Sequence, residues 1–569
     1  MSKNMKKMIS RMVSHRSFPY VMAFLMPFII CVVICIGNGV YPFGDNCILH
    51  IDMYHQYCPF FTEFLHKLRT GGSLQYSWNL GLGSDFVSLY AYYLASPLNF
   101  LIVLCPKHYV IEFMTILVLA KIALCGLTFF LFLKYHFHLI GKDSKLHKNQ
   151  VIPALVCSTA YALSGFVAAY SWDIMWMDCI LLFPLIMVGL EKLVREQKPG
   201  LYFVTLALSV FANYYISIMI CIFLVLYFGM LLITEYYTMT EGQSRKARIV
   251  FGRIGRFAFA SLLAGGLAAA LLIPEVCAIL RTDFGNSDFP GTLESYFSVF
   301  DMLARHCLCV TTERGLEHWP NIYCGVAVFL LVPMYALNEK ISVRKRFCNL
   351  ALAGFLLLSF GTNVLDFLWH GLNYPDSLPA RQSFLYIFLI LVMCYDTFRN
   401  VEGTSPRQIL YGYLAAVVFL LACEKFVESE DFDTGIEVLT LVFVTIYGVL
   451  LYLYRTRKDE LTRQVLGILV LACIVAELSI NTFNTSLGTT GRSAYLGDQE
   501  DYKALYALTQ EQEGDDFFRI EKFTRKTKND GTLTGYPTAS VFSSTMNSNV
   551  MDLYKMLGMR HSKVYYGFD

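Results

Sequence analysis

Long apolar runs are the feature that most limits how this chain can fold. A helix needs about 20 mostly apolar residues to cross the hydrocarbon core of a bilayer. About thirteen such runs occur, near 19–39, 111–133, 151–170, 179–194, 201–213, 215–235, 255–273, 321–338, 347–365, 382–397, 408–424, 436–454 and 464–481. The sequence therefore predicts a mainly α-helical, polytopic membrane protein with about 13 transmembrane helices.

The charge content and the motifs narrow the function class further. Only 16% of the 569 residues are charged, whereas a soluble globular chain has about 25%. The 17 cysteines include no C-x-x-C pair, so neither a zinc site nor a disulfide framework is indicated. The sequence contains no P-loop, which argues against an ATP-driven pump. The net charge of +2 names no partner by itself, and we expect no nucleic-acid partner.

Basic residues predict the orientation of the chain, because short cytoplasmic loops are enriched in Lys and Arg. The N-terminus carries Lys3, Lys6, Lys7, Arg11 and Arg16, and we expect it to stay in the cytoplasm ahead of a retained first span. Alternation along the runs then places further basic loops on the same side, at 142–148, 192–198, 245–253, 340–346, 399–407 and 455–463. This agreement favours two short spans between 201 and 235 over one bent helix.

Four segments and the C-terminus then fall outside the cytoplasm: 40–110, 171–178, 274–320, 366–381 and everything after 482. The apolar stretch 87–105 contains Ser96 and Pro97, and we interpret it as an interfacial or re-entrant helix. We expect a transmembrane domain over 1–484 and an extracytoplasmic α+β domain over 485–569. In that domain FFRIEKF and TASVFSS are predicted strands, and we expect the domain to be incomplete.

Acidic, aromatic and histidine residues cluster in the first external loop, at Asp45, His50, Asp52 and His55. A carboxylate at the headgroup level, partly shielded from water, can act as a general base. The structural alternative is that these acids cap or solvate loop helices. His50, Asp52 and His55 could also bind a divalent metal, although their spacing does not favour one helix face.

Two further external residues are candidates for polar chemistry. Asp178 borders an apolar run, which suggests a cavity, while the alternative is a helix N-cap. Arg381 could bind phosphate with two parallel hydrogen bonds, and its alternative is an arginine that extends to the membrane interface.

Several strings resemble a known family. GDNCILHIDMYHQYCPFF, GGSLQYSWNLGLGSDF and YYLASPLNFL in the first loop closely resemble the bacterial membrane protein YfhO family. WMDCILLFPLIMVGLE, ANYYISIM, HGLNYPDSLPARQSFL and AELSIN are similar to later stretches of that family, so the resemblance covers nearly the whole chain.

The resemblance implies a GT-C-like glycosyltransferase, a polytopic enzyme that takes a sugar from a polyprenyl-phosphate carrier on the outer leaflet. It implies that Asp52 is the first-loop acid, with Asp45 as an alternative, and that Asp178 is the second-loop acid. We expect the substrate to contact His55, Gln56, Tyr57, Tyr93 and Arg381. The implied partners are membrane lipid, the polyprenyl-phosphate-linked sugar and a cell-envelope acceptor such as a teichoic-acid-like polymer.

Two other functions stay open at this point. One is a transporter or flippase of lipid-linked envelope precursors, although such proteins usually place broken helices and charges near the bilayer midplane. The other is a non-enzymatic envelope scaffold or sensor. The residues leave the sugar, the acceptor, the metal requirement and the oligomeric state undetermined.

Overall fold

The computed structural model describes residues 17–139, 148–241, 245–282, 288–375, 377–514 and 516–568. The basic N-terminal residues Lys3 to Arg16, and Lys142 and Lys145 of the first predicted cytoplasmic loop, lie outside the described residues. Orientation evidence that depends on them stays a prediction.

Helices make up most of the described chain. In chain order, α1–α12 are Phe18–Gly37, Cys58–Thr70, Phe86–Leu89, Val110–His136, Lys148–Ala162, Gly165–Tyr170, Trp176–Glu196, Gly200–Ala212, Tyr214–Thr234, Tyr236–Thr240, Lys246–Ile279 and Val299–Ala304. The remaining helices, α13–α23, are Val328–Leu337, Val343–Phe360, Asn363–Trp369, Ser383–Arg399, Pro406–Phe426, Thr434–Thr456, Glu460–Thr485, Arg492–Leu496, Gln499–Glu513, Asp530–Thr534 and Ser548–Met556.

Short π-helical and 3-10 turns and two-residue strands complete the fold. The π-helical turns are Met53–Tyr57 and Tyr90–Leu94, and the 3-10 turns are Pro97–Leu104, Lys107–Tyr109 and Val401–Gly403. The strands β1–β6 are Asn46–Cys47, Tyr76–Ser77, Ser84–Asp85, Thr490–Gly491, Val541–Phe542 and Tyr565–Tyr566. They form three antiparallel pairs, β1 with β4, β2 with β3, and β5 with β6.

Each of the thirteen apolar runs overlaps a helix, but not every helix is long enough to span alone. In the described ranges, eight helices are long and apolar enough to cross a membrane: Phe18–Gly37, Lys107–His136, Gln150–Tyr170, Tyr214–Thr234, Lys246–Ile279, Pro406–Phe426, Thr434–Thr456 and Glu460–Thr485. The other five runs correspond to α7, α8, α13, α14 and α16, which are shorter or carry charged residues. The polytopic, mainly helical fold is confirmed, whereas the number thirteen is not.

The stretch predicted as interfacial or re-entrant is sharply bent. Phe86–Leu94 and Pro97–Leu104 meet at an angle of 101°, as a broken span or a re-entrant loop would. The side chain of Ser96 accepts a hydrogen bond from the Leu98 amide, and Pro97 begins the second arm. Proline lacks the amide hydrogen that a continuous helix would need, so the bend follows from the local sequence.

Segments that are predicted to lie on the same side of the membrane contact one another in the structure. At the predicted cytoplasmic end, Arg455 donates to the Thr404 carbonyl, and Lys345 pairs with Asp396. At the other end the segment after α19 packs on the first external loop, through the pairing of β1 with β4. This grouping agrees with the predicted topology, and the compartment that each end faces stays a prediction.

The segment after Thr485 mixes short helices with short strands. TASVFSS contains β5, as predicted. The predicted strand at FFRIEKF is wrong, because residues 517–523 form neither strand nor helix. Instead, Glu521 accepts hydrogen bonds from the Ala539 amide and the Thr538 hydroxyl. One backbone hydrogen bond, from the Ile520 amide to the Pro537 carbonyl, joins this segment to its neighbour and does not make a strand of it, because strand formation depends on the surroundings more than on the alternation of side chains.

Candidate functional site

The backbone around Asp52 has an unusual conformation. Ile51, directly before it, has φ = 49°, a left-handed conformation that is rare for a β-branched residue. The π-helical turn Met53–Tyr57 follows directly after it. Both features are uncommon and concentrate at functional sites. They flank Asp52, the residue that the sequence predicted as the first-loop acid.

The Asp52 carboxyl group is half-buried and has one amide partner. Gln56 donates a 3.0 Å hydrogen bond from Nε2 to Oδ1 of Asp52. Gln56 in turn accepts a 2.6 Å hydrogen bond from the Tyr93 hydroxyl at Oε1. Burial raises the pKa of Asp52 to about 6, although the Gln56 hydrogen bond opposes the rise. A carboxylate with such a pKa is well matched to accepting a proton near neutral pH.

A second carboxyl group lies close to Asp52, and it belongs to Asp173. Tyr57 donates a 2.6 Å hydrogen bond to Oδ1 of Asp173, which is 1% exposed. Oδ2 has no hydrogen-bond partner among the described residues. Burial raises the pKa of Asp173 well above its ordinary value, and the charge of Asp52 raises it further. The first and second external loops therefore converge on a pair of acids.

Asp178, the residue predicted as the second-loop acid, has a different environment. It lies in the first turn of α7, where Oδ2 is 2.5 Å from Lys121 Nζ. Its other oxygen accepts a 2.7 Å hydrogen bond from Ser96. Lys121 is fully buried in α4 and also donates to the Ile174 carbonyl. Both carboxylate oxygens of Asp178 are thus occupied by protein groups that join α4, α7 and the bend at Ser96.

Arg381 lies on the Asp173 side of the site. Its guanidinium carbon is 5.2 Å from the Trp176 ring centre and 5.1 Å from that of Tyr215. Its side chain also donates to the carbonyls of Leu378 and Ser377. Ala380, directly before Arg381, has φ = 50°, a left-handed backbone conformation. Ile51, directly before Asp52, has the same kind of conformation.

Two arginines place positive charge near the buried Asp173. The charges of Arg381 and Arg314 both act to lower the pKa of Asp173, and so oppose the effect of burial. Arg314 donates to the Thr485 carbonyl, and its buried Nε has no hydrogen-bond partner in the described part of the chain. The arrangement combines acids with cations, as an active site for charged substrates requires.

The segment after α19 covers the first loop and contacts two of the predicted substrate-binding residues. The amide of Ser544 donates a 2.8 Å hydrogen bond to the Tyr93 hydroxyl. The carbonyl of His55 accepts from the Thr527 hydroxyl and the Asn529 amide group. The His55 ring packs 6.2 Å from that of Phe542. His55 thus faces the C-terminal segment.

Asp45, the alternative first-loop acid, is exposed and holds the same segment in place. Its Oδ1 accepts hydrogen bonds from the amide and the hydroxyl group of Ser493, at 3.2 and 2.5 Å. Its carbonyl accepts from the Arg492 amide. These contacts give Asp45 a tethering position at the rim of the loop.

The metal alternative gains no support from the geometry. His50 Nδ1 is 2.9 Å from its own loop's Ile48 carbonyl, and the His50 ring packs against Trp172. Within the described ranges, no group of three or more His, Cys, Asp or Glu side chains could hold a metal ion.

The sequence reasoning missed Lys121 as a member of this region, and of the two second-loop acids it selected Asp178 rather than Asp173. Lys121 lies within the apolar run 111–133, and an isolated lysine in a span indicates a buried acidic partner. That signal would have predicted an ion pair for one of the two second-loop acids. It would not have selected Asp178, because the choice depends on how α4 and α7 pack.

Comparisons with known proteins agree with the resemblance in the sequence. A family model described as "Bacterial membrane protein YfhO" matches residues 22–569. A Bacillus subtilis (strain 168) protein described as "Uncharacterized protein YfhO" is 21% identical over 518 residues. The match covers 87% of this chain and 55% of the relative, so the chain spans about half the length of the curated relative.

One solved structure is similar over most of its length. It is the crystal structure of ArnT from Cupriavidus metallidurans bound to undecaprenyl phosphate, with 11% sequence identity and a TM-score of 0.38. The similarity covers 90% of this chain and 84% of that one. Because the family model extends over nearly the whole sequence, the chain belongs to the YfhO family of bacterial membrane proteins.

Proposed function

We propose that this protein is a GT-C-like membrane glycosyltransferase that transfers a sugar from a polyprenyl-phosphate donor to an acceptor outside the cytoplasm. The observation that carries the proposal is that one π-helical turn, Met53–Tyr57, follows Asp52 and bonds Asp173 through Tyr57, with the charge of Arg381 acting on Asp173. The donor class, and an envelope polymer such as teichoic acid as acceptor, are the finer parts of the proposal and come from the family resemblance.

The proposed reaction is a single displacement at the anomeric carbon of the donor sugar. The acceptor hydroxyl oxygen forms the new bond to that carbon, while the bond between the carbon and the lipid phosphate oxygen breaks. The phosphate leaves with the electron pair, and the hydroxyl proton passes to the carboxylate of Asp52. The configuration of the sugar is thereby inverted. A general base typically contributes a factor of about 10²–10⁴ in rate.

The neighbouring residues have distinct proposed roles. Gln56 holds Asp52 by a hydrogen bond to Oδ1, which leaves Oδ2 to meet the hydroxyl group. Arg381 neutralises charge that develops on the departing phosphate, since a guanidinium group matches the geometry of phosphate oxygens. Asp173, with its unpartnered Oδ2, positions the acceptor. We assign Asp178 a structural role in place of the catalytic one, because its oxygens are engaged by Lys121 and Ser96.

A transfer assay in proteoliposomes tests the proposal. The purified protein receives undecaprenyl phosphate carrying radiolabelled glucose, galactose or N-acetylglucosamine, with extracted teichoic acid as acceptor. We expect label to enter the polymer with at least one donor, and Asp52→Asn to lower that rate by about 10²–10⁴. Asp552→Asn, on an exposed helix of the C-terminal segment, is the matched control and should retain activity.

Three outcomes would contradict the proposal. Label that crosses the bilayer without entering the polymer would support the flippase. Full activity of a folded Asp52→Asn protein would remove Asp52 as the base, and loss of activity in Asp45→Asn alone would assign that role to Asp45. A wild-type protein that neither transfers nor translocates any of the three donors would favour the scaffold or sensor.

A further inference from the structure

Glu275 is a buried carboxylate on a helix that otherwise faces outward. Along α11 large apolar side chains such as Leu262 and Leu267 are 76% and 62% exposed. The inward face is marked by buried residues four and seven positions apart: Ala260, Ala264, Ala268 and Glu275. This spacing follows one face of a helix. Three of those positions are alanines, which allow close packing, and the fourth places a carboxyl group toward the interior.

The carboxyl group of Glu275 has no partner in the described part of the protein. The residue is 1% exposed, and neither carboxylate oxygen has a hydrogen bond. The Tyr214 hydroxyl approaches it without reaching normal hydrogen-bond geometry. An unpaired buried carboxyl group is costly, and ionisable residues inside membrane segments usually serve a function. The described residues therefore leave most of the hydrogen-bonding capacity of this carboxyl group unused.

Glu275 lies at one end of a polar path that leads to the candidate site. Tyr92 is within electrostatic reach of both Glu275 and Arg381. The Tyr92 ring lies 6.4 Å from that of Tyr214 and 4.6 Å from that of Tyr93. Tyr93 donates to Gln56, the partner of Asp52. The tyrosines thus connect the unpaired carboxyl group to the acids and to the arginine.

The chemistry of these groups indicates what could bind there. The two oxygens of a carboxyl group offer several lone pairs that accept hydrogen bonds, so a ligand for Glu275 would carry hydrogen-bond donors close together. Tyrosine rings offer flat apolar faces with a polar edge. A sugar ring matches this combination, because it presents hydroxyl donors around its edge. A phosphate group does not, since its oxygens are hydrogen-bond acceptors rather than donors.

We propose that Glu275 binds hydroxyl groups of the donor sugar and so makes the site selective for the sugar rather than for the lipid phosphate. The inference rests on the proposed transferase function and goes beyond it by naming a specificity-determining residue. It separates recognition of the sugar at Glu275 from recognition of phosphate at Arg381.

Binding measurements in lipid nanodiscs test the proposal without requiring turnover. Affinities are measured for undecaprenyl phosphate alone and for undecaprenyl phosphate linked to glucose, galactose or N-acetylglucosamine. The wild-type protein should bind at least one sugar-linked lipid more tightly than the bare lipid. Glu275→Gln should weaken binding of that lipid by about 10- to 100-fold, because an amide donor replaces one acceptor oxygen and a buried hydroxyl group of the sugar loses its partner. Its affinity for undecaprenyl phosphate should stay unchanged.

A matched variant controls for a general effect of removing a carboxylate. Glu437 also has an unpartnered oxygen and lies in the first turn of α18, a helix that contributes nothing to the candidate site. Glu437→Gln should leave the preference for the sugar-linked lipid intact. Glu275→Asp, which keeps a carboxyl group on a shorter side chain, should retain part of the preference and shows that the Gln effect is not misfolding.

The outcomes separate this inference from the proposed function. If Glu275→Gln weakens both lipids equally, or neither, or if no sugar-linked lipid is preferred by the wild type, the assignment of Glu275 is overturned. If the preference exists and depends on Glu275 but no transfer occurs in proteoliposomes, sugar recognition stands and the transferase proposal fails.

Discussion

The hydroxyl group of Tyr57 donates a 2.6 Å hydrogen bond to Asp173, a residue 116 positions further along the chain. This single bond joins the first external loop to the second. Because Tyr57 and Asp52 lie at opposite ends of the same π-helical turn, the bond also fixes the approach of the two acids. It is the contact on which the geometry of the proposed site most depends.

Removing this hydroxyl group should destabilise the protein. In Tyr57→Phe the buried Asp173 would lose the partner of Oδ1, while Oδ2 already has none among the described residues. An unsatisfied buried polar group costs about 1–3 kcal/mol, so the thermal midpoint in detergent should fall. A Tyr57→Phe protein with an unchanged midpoint would show that the bond is dispensable for folding.

The pH dependence of transfer should report the ionisation of Asp52. Burial raises the pKa of this carboxyl group to about 6, and only the deprotonated form can accept a proton. We therefore expect kcat/KM to be constant above roughly pH 7 and to fall about tenfold per pH unit well below pH 6. The residual activity of Asp52→Asn should lack this acid limb. If kcat/KM of the wild-type protein fell only near pH 4, burial would not raise the pKa of Asp52 as described.

Breaking the ion pair of Lys121 and Asp178 should affect stability more than chemistry. In Asp178→Asn a buried lysine would lose its charged partner, which typically costs about 3–5 kcal/mol. The double variant Lys121→Met with Asp178→Leu should recover most of that loss, because no buried charge is left unpaired. Thermal unfolding of the three proteins measures the effect. If the double variant regains stability but has no transfer activity, Asp178 has a role in catalysis as the sequence predicted.

The Tyr93 hydroxyl connects the bent helix to the C-terminal segment, and Tyr93→Phe should loosen that segment. The change removes both the hydrogen bond to Gln56 and the acceptor for the Ser544 amide. We expect faster hydrogen exchange around residue 544 and a severalfold lower transfer rate. Tyr90→Phe, in the same π-helical turn, is the control. Equal exchange rates at 544 in both variants would exclude this link.

The sequence was most informative where structure depends on local composition. The apolar runs are helical because a segment in lipid must satisfy its own backbone hydrogen bonds. A helix does this within one segment, without pairing to its neighbours. The bend near Ser96 and Pro97 also has a local cause. The span count was less certain, since α8 and α13 are too short to cross by themselves. Their depth in the membrane depends on the helices around them.

The partners of the charged residues could not be read from the sequence. Asp173 and Asp178 are five positions apart in one short segment, and each has a tryptophan within two positions before it. What distinguishes them is Lys121 on α4 and Tyr57 on the first loop, and those contacts arise only from tertiary packing. The prediction of Asp52 depended on a resemblance, and the geometry adds Asp173 beside it.

The hydrogen bonds from Thr527 and Asn529 to the His55 carbonyl have a consequence for biosynthesis. They join positions 472 and 474 residues apart, so the loop emerges from the ribosome long before its covering segment. At 5–20 residues per second the delay is roughly 25–95 s. During that time the newly inserted loop lacks its final contacts, and the candidate site is completed only after the distal segment has reached the loop.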